Sequence, residues 1–348
     1  MSIDTFKKYY SEEKEILNKE LISFNNELVK ENNQILKENL EYFSNLNHNG
    51  KMIRGTLVDL GYFLLNDNRG YSRKLALAYE VFQTSILVHD DIIDKDEKRR
   101  GIDTVHYSNY KKYNDMHLSN SIAICMGDYG LYKANNIIVN NYSNDLNLSK
   151  VLNYFNNTVL NTIKGEILDV VLPFKSKNQS IDNDLLEEYI MNIYRLKTAH
   201  YTIIGPLSTG LILSGCDENK LNDIKEFGEK VGIAFQIQDD ILGIYKDEIG
   251  KVTGSDIKEF KQTILYSHIS KTKYLNELLE VYGKDITDES ISKVRDLFKL
   301  SGSFDYANNM MNKLYDEIIE LLNNMSWIKE DKKELLRGFV EYLRERNK

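Results

Sequence analysis

The chain has 348 residues, a formal net charge of -8 and 42% hydrophobic residues. That balance supports a substantial core and argues against a nucleic-acid surface, and no uncharged apolar run reaches the roughly 18 residues of a membrane span. The start MSIDTFKKYYSEEKE lacks the basic end and apolar stretch of a secretory signal, and Cys125 and Cys216 have no metal-type spacing, so a soluble protein of the reducing cytoplasm is expected.

Apolar residues recur at spacings of three and four from the beginning, as at Leu17, Leu21, Phe24 and Leu28, and prolines occur only at Pro173 and Pro206. This is helical periodicity, and no sustained two-residue alternation between turn dipeptides interrupts it. An all-α fold is predicted, with residues 1–348 as one helical domain. Polar stretches at 66–72, 140–147, 175–184, 215–219 and 282–290 separate the helices.

The first chemical signal is NGKMIRG (49–55), which places Lys51 and Arg54 three apart. Next comes VHDDIIDKDEKRRG (88–101). On a helix Asp90 and Asp94 share a face, with Gln83 and Leu87 on the same stripe. Two bare carboxylates about 4 Å apart repel by about 4 kcal/mol at an effective dielectric near 20, so a partly buried pair calls for a cation or a raised pKa. Oxygen ligands of this kind suit Mg²⁺ shared with substrate phosphates, and Arg99 and Arg100 supply forked donors for those phosphates. Gly101 would let the backbone approach closely. The competing reading is a solvated, charge-mixed helix end.

A second stretch, AFQIQDDILG (234–243), repeats the design with Gln236, Asp239 and Asp240 on one face after an apolar run. Two such faces, far apart in sequence, would clamp metal ions across a helical bundle. RLKTAH (195–200) adds Lys197 beside Thr198, and GKVTGSDIKEFKQT (250–263) adds Lys251 and Lys261. A phosphohydrolase built on His89 and Asp90 would need other histidines to converge, but His48, His106, His117, His200 and His268 show no helical pairing.

Taken in order, GKMIR, EVFQTSILVHDDIIDKDEKRRG, MGDYGL (126–131), KTA, FQIQDD and GSDIKEFKQT closely resemble the trans-isoprenyl diphosphate synthases over roughly residues 45–270. The resemblance implies the all-helical isoprenoid synthase bundle, a homodimer, and three Mg²⁺ held by Asp90, Asp94 and Asp239, with Asp240 supporting through waters. It places Lys51, Arg54, Gln83 and Arg100 on isopentenyl diphosphate, and Arg99, Lys197, Thr198, Gln236, Lys251 and Lys261 around the allylic diphosphate. The implied reaction is head-to-tail condensation: the allylic C–O bond breaks, the isopentenyl double bond attacks the cation, and a proton is lost.

One departure stands out, since Gly243 occupies the place where many relatives carry a third aspartate. His89 is expected to pack rather than catalyse. In the family, chain length is governed by the fifth and fourth positions before the first aspartate, here Ser85 and Ile86, which lack the aromatics of farnesyl synthases. Phe82, one turn deeper, would close the cavity at a geranylgeranyl product of twenty carbons; a floor near Tyr129 or Tyr132 is the alternative. Farnesyl or longer products, a terpene cyclase and a noncatalytic synthase subunit are the competing functions.

Overall fold

A computed structural model describes residues 2–48, 50–178, 181–245 and 254–345. The helices are α1 (Ser2–Leu28), α2 (Gln34–Asn47), α3 (Ile53–Phe63), α4 (Arg73–Ile93), α5 (Val105–Tyr113), α6 (Met116–Tyr142), α7 (Leu148–Asn178) and α8 (Asn183–Ile193). A π-helical segment, Tyr194–Ile204, follows. Then come α9 (Gly205–Leu213), α10 (Glu218–Tyr245), α11 (Ser255–Lys258), α12 (Ile264–Ser270), α13 (Leu275–Leu279), α14 (Asp288–Leu300), α15 (Ser303–Asn324) and α16 (Glu330–Glu345). Among the described residues the only sheet is a hairpin of β1 (Lys98–Arg99) and β2 (Ile102–Asp103). The all-α expectation holds, and each polar break falls at or beside a helix end.

The chain forms two compact units. One comprises residues 7–154 and 206–217. In it α4 lies along α6 and α3, and α3 meets α9 so closely that a Cβ on Gly61 would sit 2.1 Å from the Leu207 carbonyl oxygen, and one on Gly210 2.0 Å from that of Val58. Tyr79, Phe82, Phe43 and Leu57 fill its core with essentially no exposure.

The other unit comprises residues 1–6, 155–205 and 218–348. Here α10 is the central helix, packed on the π-helical segment and α15, with Phe227, Phe298 and Phe339 buried around it.

Candidate active site

In the first unit the site is built on the last turns of α4. Gln83, Ile86, Leu87, Asp90 and Asp94 are partly accessible, whereas Thr84, Ser85, Val88 and Asp91 between them are buried. The predicted stripe is therefore accessible along its length, beside an enclosed stripe of Thr84, Ser85, Val88 and Asp91. The Asp94 N–H donates to the Asp90 carbonyl at 2.8 Å, so the two aspartates are one regular turn apart. The helix then stops in a left-handed residue, Lys95 (φ 58), with the Asp96 N–H closing back on the Asp91 carbonyl at 2.9 Å.

That stop returns the hairpin over the helix end. Its turn residues Arg100 (φ 55) and Gly101 (φ 82) are both left-handed, as a two-residue turn between twisted strands requires. A Cβ on Gly101 would meet nothing within 4 Å, so within the chain it is the left-handed turn that asks for glycine here. Arg99, on β1, bonds Asp91 Oδ1 through Nε and reaches Asp90 Oδ2 at 3.0 Å and Asp96 Oδ2 at 3.3 Å through Nη2. Asp91, absent from the expected set, is fully enclosed; burial pushes its carboxyl up to about 7 even with Arg99 beside it. Arg100 donates to the Leu46 carbonyl at 3.0 Å, at the end of α2.

His89 packs on α6, with Nε2 at 3.1 Å from the Ile124 carbonyl oxygen and 3.5 Å from Asp128 Oδ1. Gly127 makes room for it, since a Cβ there would lie 2.2 Å from Nε2. Gly130 does the same for Ser85, whose Oγ would be 2.1 Å from an added Cβ, with Phe43 close by. Ser85, expected to leave the passage open, is enclosed at this helix crossing, while Ile86 keeps some exposure. Phe82 is enclosed too, edge-on to Tyr79 at 6.2 Å. Tyr129 and Tyr132 are 36% and 75% exposed on α6.

In the second unit α10 presents Gln236, Asp239 and Gly243 on its partly accessible stripe. Asp240 does not join them. It is 4% exposed, its Oδ2 accepts the Tyr194 hydroxyl, and its Oδ1 accepts Gln236 Nε2 at 2.7 Å. Burial, with help from the Asp256 charge, pushes its carboxyl up to about 8. A Cβ on Gly243 would lie 3.1 Å from Asp256 Oδ2. A carboxylate from outside the helix thus stands beside the position that lacks the third aspartate.

The π-helical segment carries the other basic group. Lys197 Nζ sits between Glu166 (2.8 Å) and Asp169 (2.6 Å) of α7, and Thr198 Oγ1 donates to Gln236 Oε1 at 2.5 Å. Wide i→i+5 turns are frequent at functional sites. This one is pressed between small residues: a Cβ on Gly165 would lie 2.4 Å from the Lys197 nitrogen, and one on Gly232 2.4 Å from the Ala199 Cα. Lys261 follows Phe260, another left-handed residue (φ 57), with Nζ at 3.2 Å from Glu259 and 3.8 Å from Asp256. Lys251 lies outside the described residues.

Among the described residues no group of three or more His, Cys, Asp or Glu is arranged to hold a metal ion alone. Mg²⁺ does not demand one, because one or two carboxylates suffice when water and substrate phosphates supply the rest. The donor chemistry fits: Asp90, Asp94 and Asp239 offer only hard carboxylate oxygens, each on the accessible stripe of its helix. Glu166, Asp169, Asp256 and Tyr194 were missed. Each acquires its role through a partner distant in sequence.

The family model described as polyprenyl synthetase matches residues 33–300. A short chain isoprenyl diphosphate synthase of Methanocaldococcus jannaschii is 32% identical over 266 residues, covering 74% of each chain. A geranylgeranyl diphosphate synthase of Sulfolobus acidocaldarius is 31% identical over 285 residues, 80% of this chain and 81% of that one. Among solved structures, a Corynebacterium glutamicum geranylgeranyl pyrophosphate synthase, complexed with isoprenyl diphosphate and magnesium, has the same fold. Its TM-score is 0.85 at 23% identity, over 95% of this chain and 98% of that one. The geranylgeranyl pyrophosphate synthetase of Pyrococcus horikoshii gives 0.80 at 25% identity, covering 98% of each.

Proposed function

The chain belongs to the polyprenyl synthetase family, and from that premise we propose that it is a prenyltransferase that condenses isopentenyl diphosphate head-to-tail with allylic diphosphates. Geranylgeranyl diphosphate is the product we favour. One observation carries the reading: two long helices each carry accessible polar side chains at helical spacing, Gln83, Asp90 and Asp94 along α4 and Gln236 and Asp239 along α10.

In this reading Asp90, Asp94 and Asp239 hold Mg²⁺, three ions in all, which supplies the charge neutralisation that makes diphosphate a competent leaving group. Arg99, Lys197, Thr198, Gln236, Lys251 and Lys261 stabilise the charge that grows on the allylic diphosphate as its C–O bond breaks. Lys51, Arg54, Gln83 and Arg100 orient isopentenyl diphosphate, so that its double bond meets the allylic carbon and its proton leaves to the departed diphosphate. Asp240, kept by Tyr194 and Gln236, fixes the pose of Gln236. Phe82, Ser85 and Ile86 on α4 set how far the product tail extends, and all residues serve one catalytic domain.

Two exposed apolar faces support a homodimer: Leu118, Ile124 and Tyr132 on α6, and Leu160, Ile167 and Phe174 on α7. No helix among the described residues is long and apolar enough to cross a membrane. We place the protein in the cytoplasm.

Incubation with Mg²⁺, labelled isopentenyl diphosphate and each allylic primer, followed by product sizing, tests the activity. Asp90→Ala and Asp239→Ala are expected to abolish turnover while far-ultraviolet dichroism stays unchanged. Wild-type turnover in either would refute the metal assignment.

A further inference from the structure

Helix α3 starts without a cap of its own. Its N-cap residue Met52 is left-handed (φ 55), and its side chain accepts no hydrogen bond from the first turn. The N–H of the third helical residue, Gly55, would ordinarily be satisfied by a Ser, Thr, Asp or Asn at that N-cap. Here the acceptor comes from another helix: Glu80 Oε1 of α4 takes the Gly55 N–H at 2.7 Å. The two helices touch at that point, because a Cβ on Gly55 would lie 3.1 Å from the Ala76 carbonyl oxygen and 3.3 Å from Glu80 Cγ.

A carboxylate is costly in this position. Glu80 is 5% exposed, and burial raises its pKa while the Gly55 N–H, Arg54 and Arg100 pull it back. Both arginines belong to the set assigned to isopentenyl diphosphate, and Gln83 of that set stands one turn further along the helix that bears Glu80. Lys51 precedes the capped turn directly, and its carbonyl accepts the Tyr10 hydroxyl. The capped turn therefore fixes the path of residues 51–54.

We propose that Glu80 is a positioning residue for isopentenyl diphosphate: by capping α3 from α4 it fixes Lys51 and Arg54 relative to Gln83 without touching the substrate. The inference rests on the proposed function, in which those residues hold that diphosphate.

The test is steady-state kinetics with each substrate varied in turn, on Glu80→Ala, Glu80→Asp and Glu80→Gln beside Lys51→Ala and Arg54→Ala. Glu80→Ala and Glu80→Asp, which remove or retract the acceptor, should raise KM for isopentenyl diphosphate about tenfold. KM for the allylic primer and kcat should change less than about threefold. Glu80→Gln, whose amide oxygen still accepts from Gly55, should stay within about threefold of wild type. Should Glu80→Ala fail to fold, Glu80→Asp gives the same reading. The proposal falls if Glu80→Asp leaves KM for isopentenyl diphosphate unchanged, if both substrates weaken alike, or if Glu80→Gln is as impaired as Glu80→Asp. If Lys51→Ala and Arg54→Ala show no preference for isopentenyl diphosphate, the site assignment itself fails. If they do and the Glu80 variants do not, only this inference fails.

Discussion

Replacing Gly165 by alanine adds a single methyl group where α7 meets the backbone of Lys197. That methyl would lie 2.4 Å from the Lys197 nitrogen and 2.7 Å from its Cα, about 1 Å short of the 3.4 Å at which ordinary contact begins. Main-chain atoms cannot rotate out of the way as a side chain can, so the π-helical segment must retreat from α7. Helix propensity alone would make the substitution stabilising by about 1 kcal/mol, and overpacking costs about 1–3 kcal/mol, so a net loss of up to about 2 kcal/mol is expected. Function should suffer more, because Lys197 would be carried away from Glu166 and Asp169, which now hold it at 2.8 and 2.6 Å. A misplacement of about 1 Å can cost a hundredfold in rate. Urea unfolding and kcat/KM for the allylic primer, at saturating isopentenyl diphosphate, measure the two effects. A variant about 1 kcal/mol more stable than wild type, with unchanged kinetics, would refute the reasoning.

Ile86→Phe should shorten the main product to fifteen carbons, and Phe82→Ala should lengthen it beyond twenty at a stability cost of about 3–5 kcal/mol; chromatography of the dephosphorylated products decides, and unchanged lengths in both would remove α4 as the ruler. Gly61→Ala and Gly210→Ala should each destabilise by about 1–3 kcal/mol, because each methyl meets a carbonyl across the α3–α9 crossing. Their double variant should lose less than the sum, since one separation relieves both clashes, and strict additivity in urea titrations would count against a shared crossing. His200 is held below its ordinary value by burial, so its unfolded form takes up a proton first as pH falls. Wild type should therefore lose stability relative to His200→Gln as pH drops through about 6.5, with a slope of up to about 1.4 kcal/mol per pH unit; parallel stability curves would show that the imidazole is not shielded.

The helices and both aspartate stripes were legible because they depend on spacing alone: a four-residue interval puts Asp90 and Asp94 on one edge whatever surrounds them. The enclosure of Asp240 was not legible, for the opposite reason. Its spacing places it near Asp239, but its burial depends on Tyr194, 46 residues earlier, and Tyr194 reaches it from a π-helical turn that local pattern does not announce. Asp91 sits inside a motif read for its outer aspartates, and its enclosure requires the hairpin that brings Arg99 back over the helix. That hairpin has strands of two residues, too short to show any alternation. Gly101 stands out in the sequence, but only its backbone angle shows that the hairpin turn itself asks for glycine there. The small size of Ser85 is plain in the sequence, but its match to Gly130 across a crossing is not.

Among the described residues five non-glycine residues have a left-handed backbone, and four of them adjoin the proposed site: Met52 between Lys51 and Arg54, Lys95 after Asp94, Arg100 itself, and Phe260 before Lys261. Each costs the fold on the order of 1 kcal/mol that glycine would not. A search for heat-resistant variants would thus be drawn to these positions, where glycine relieves strain in the folded chain, although it also frees the unfolded one. The same exchange would unfasten the directions in which the neighbouring cations and carboxylates leave the backbone. Thermal hardiness and turnover are set against each other at these four residues, so robust variants should be sought at the helix crossings and surfaces instead.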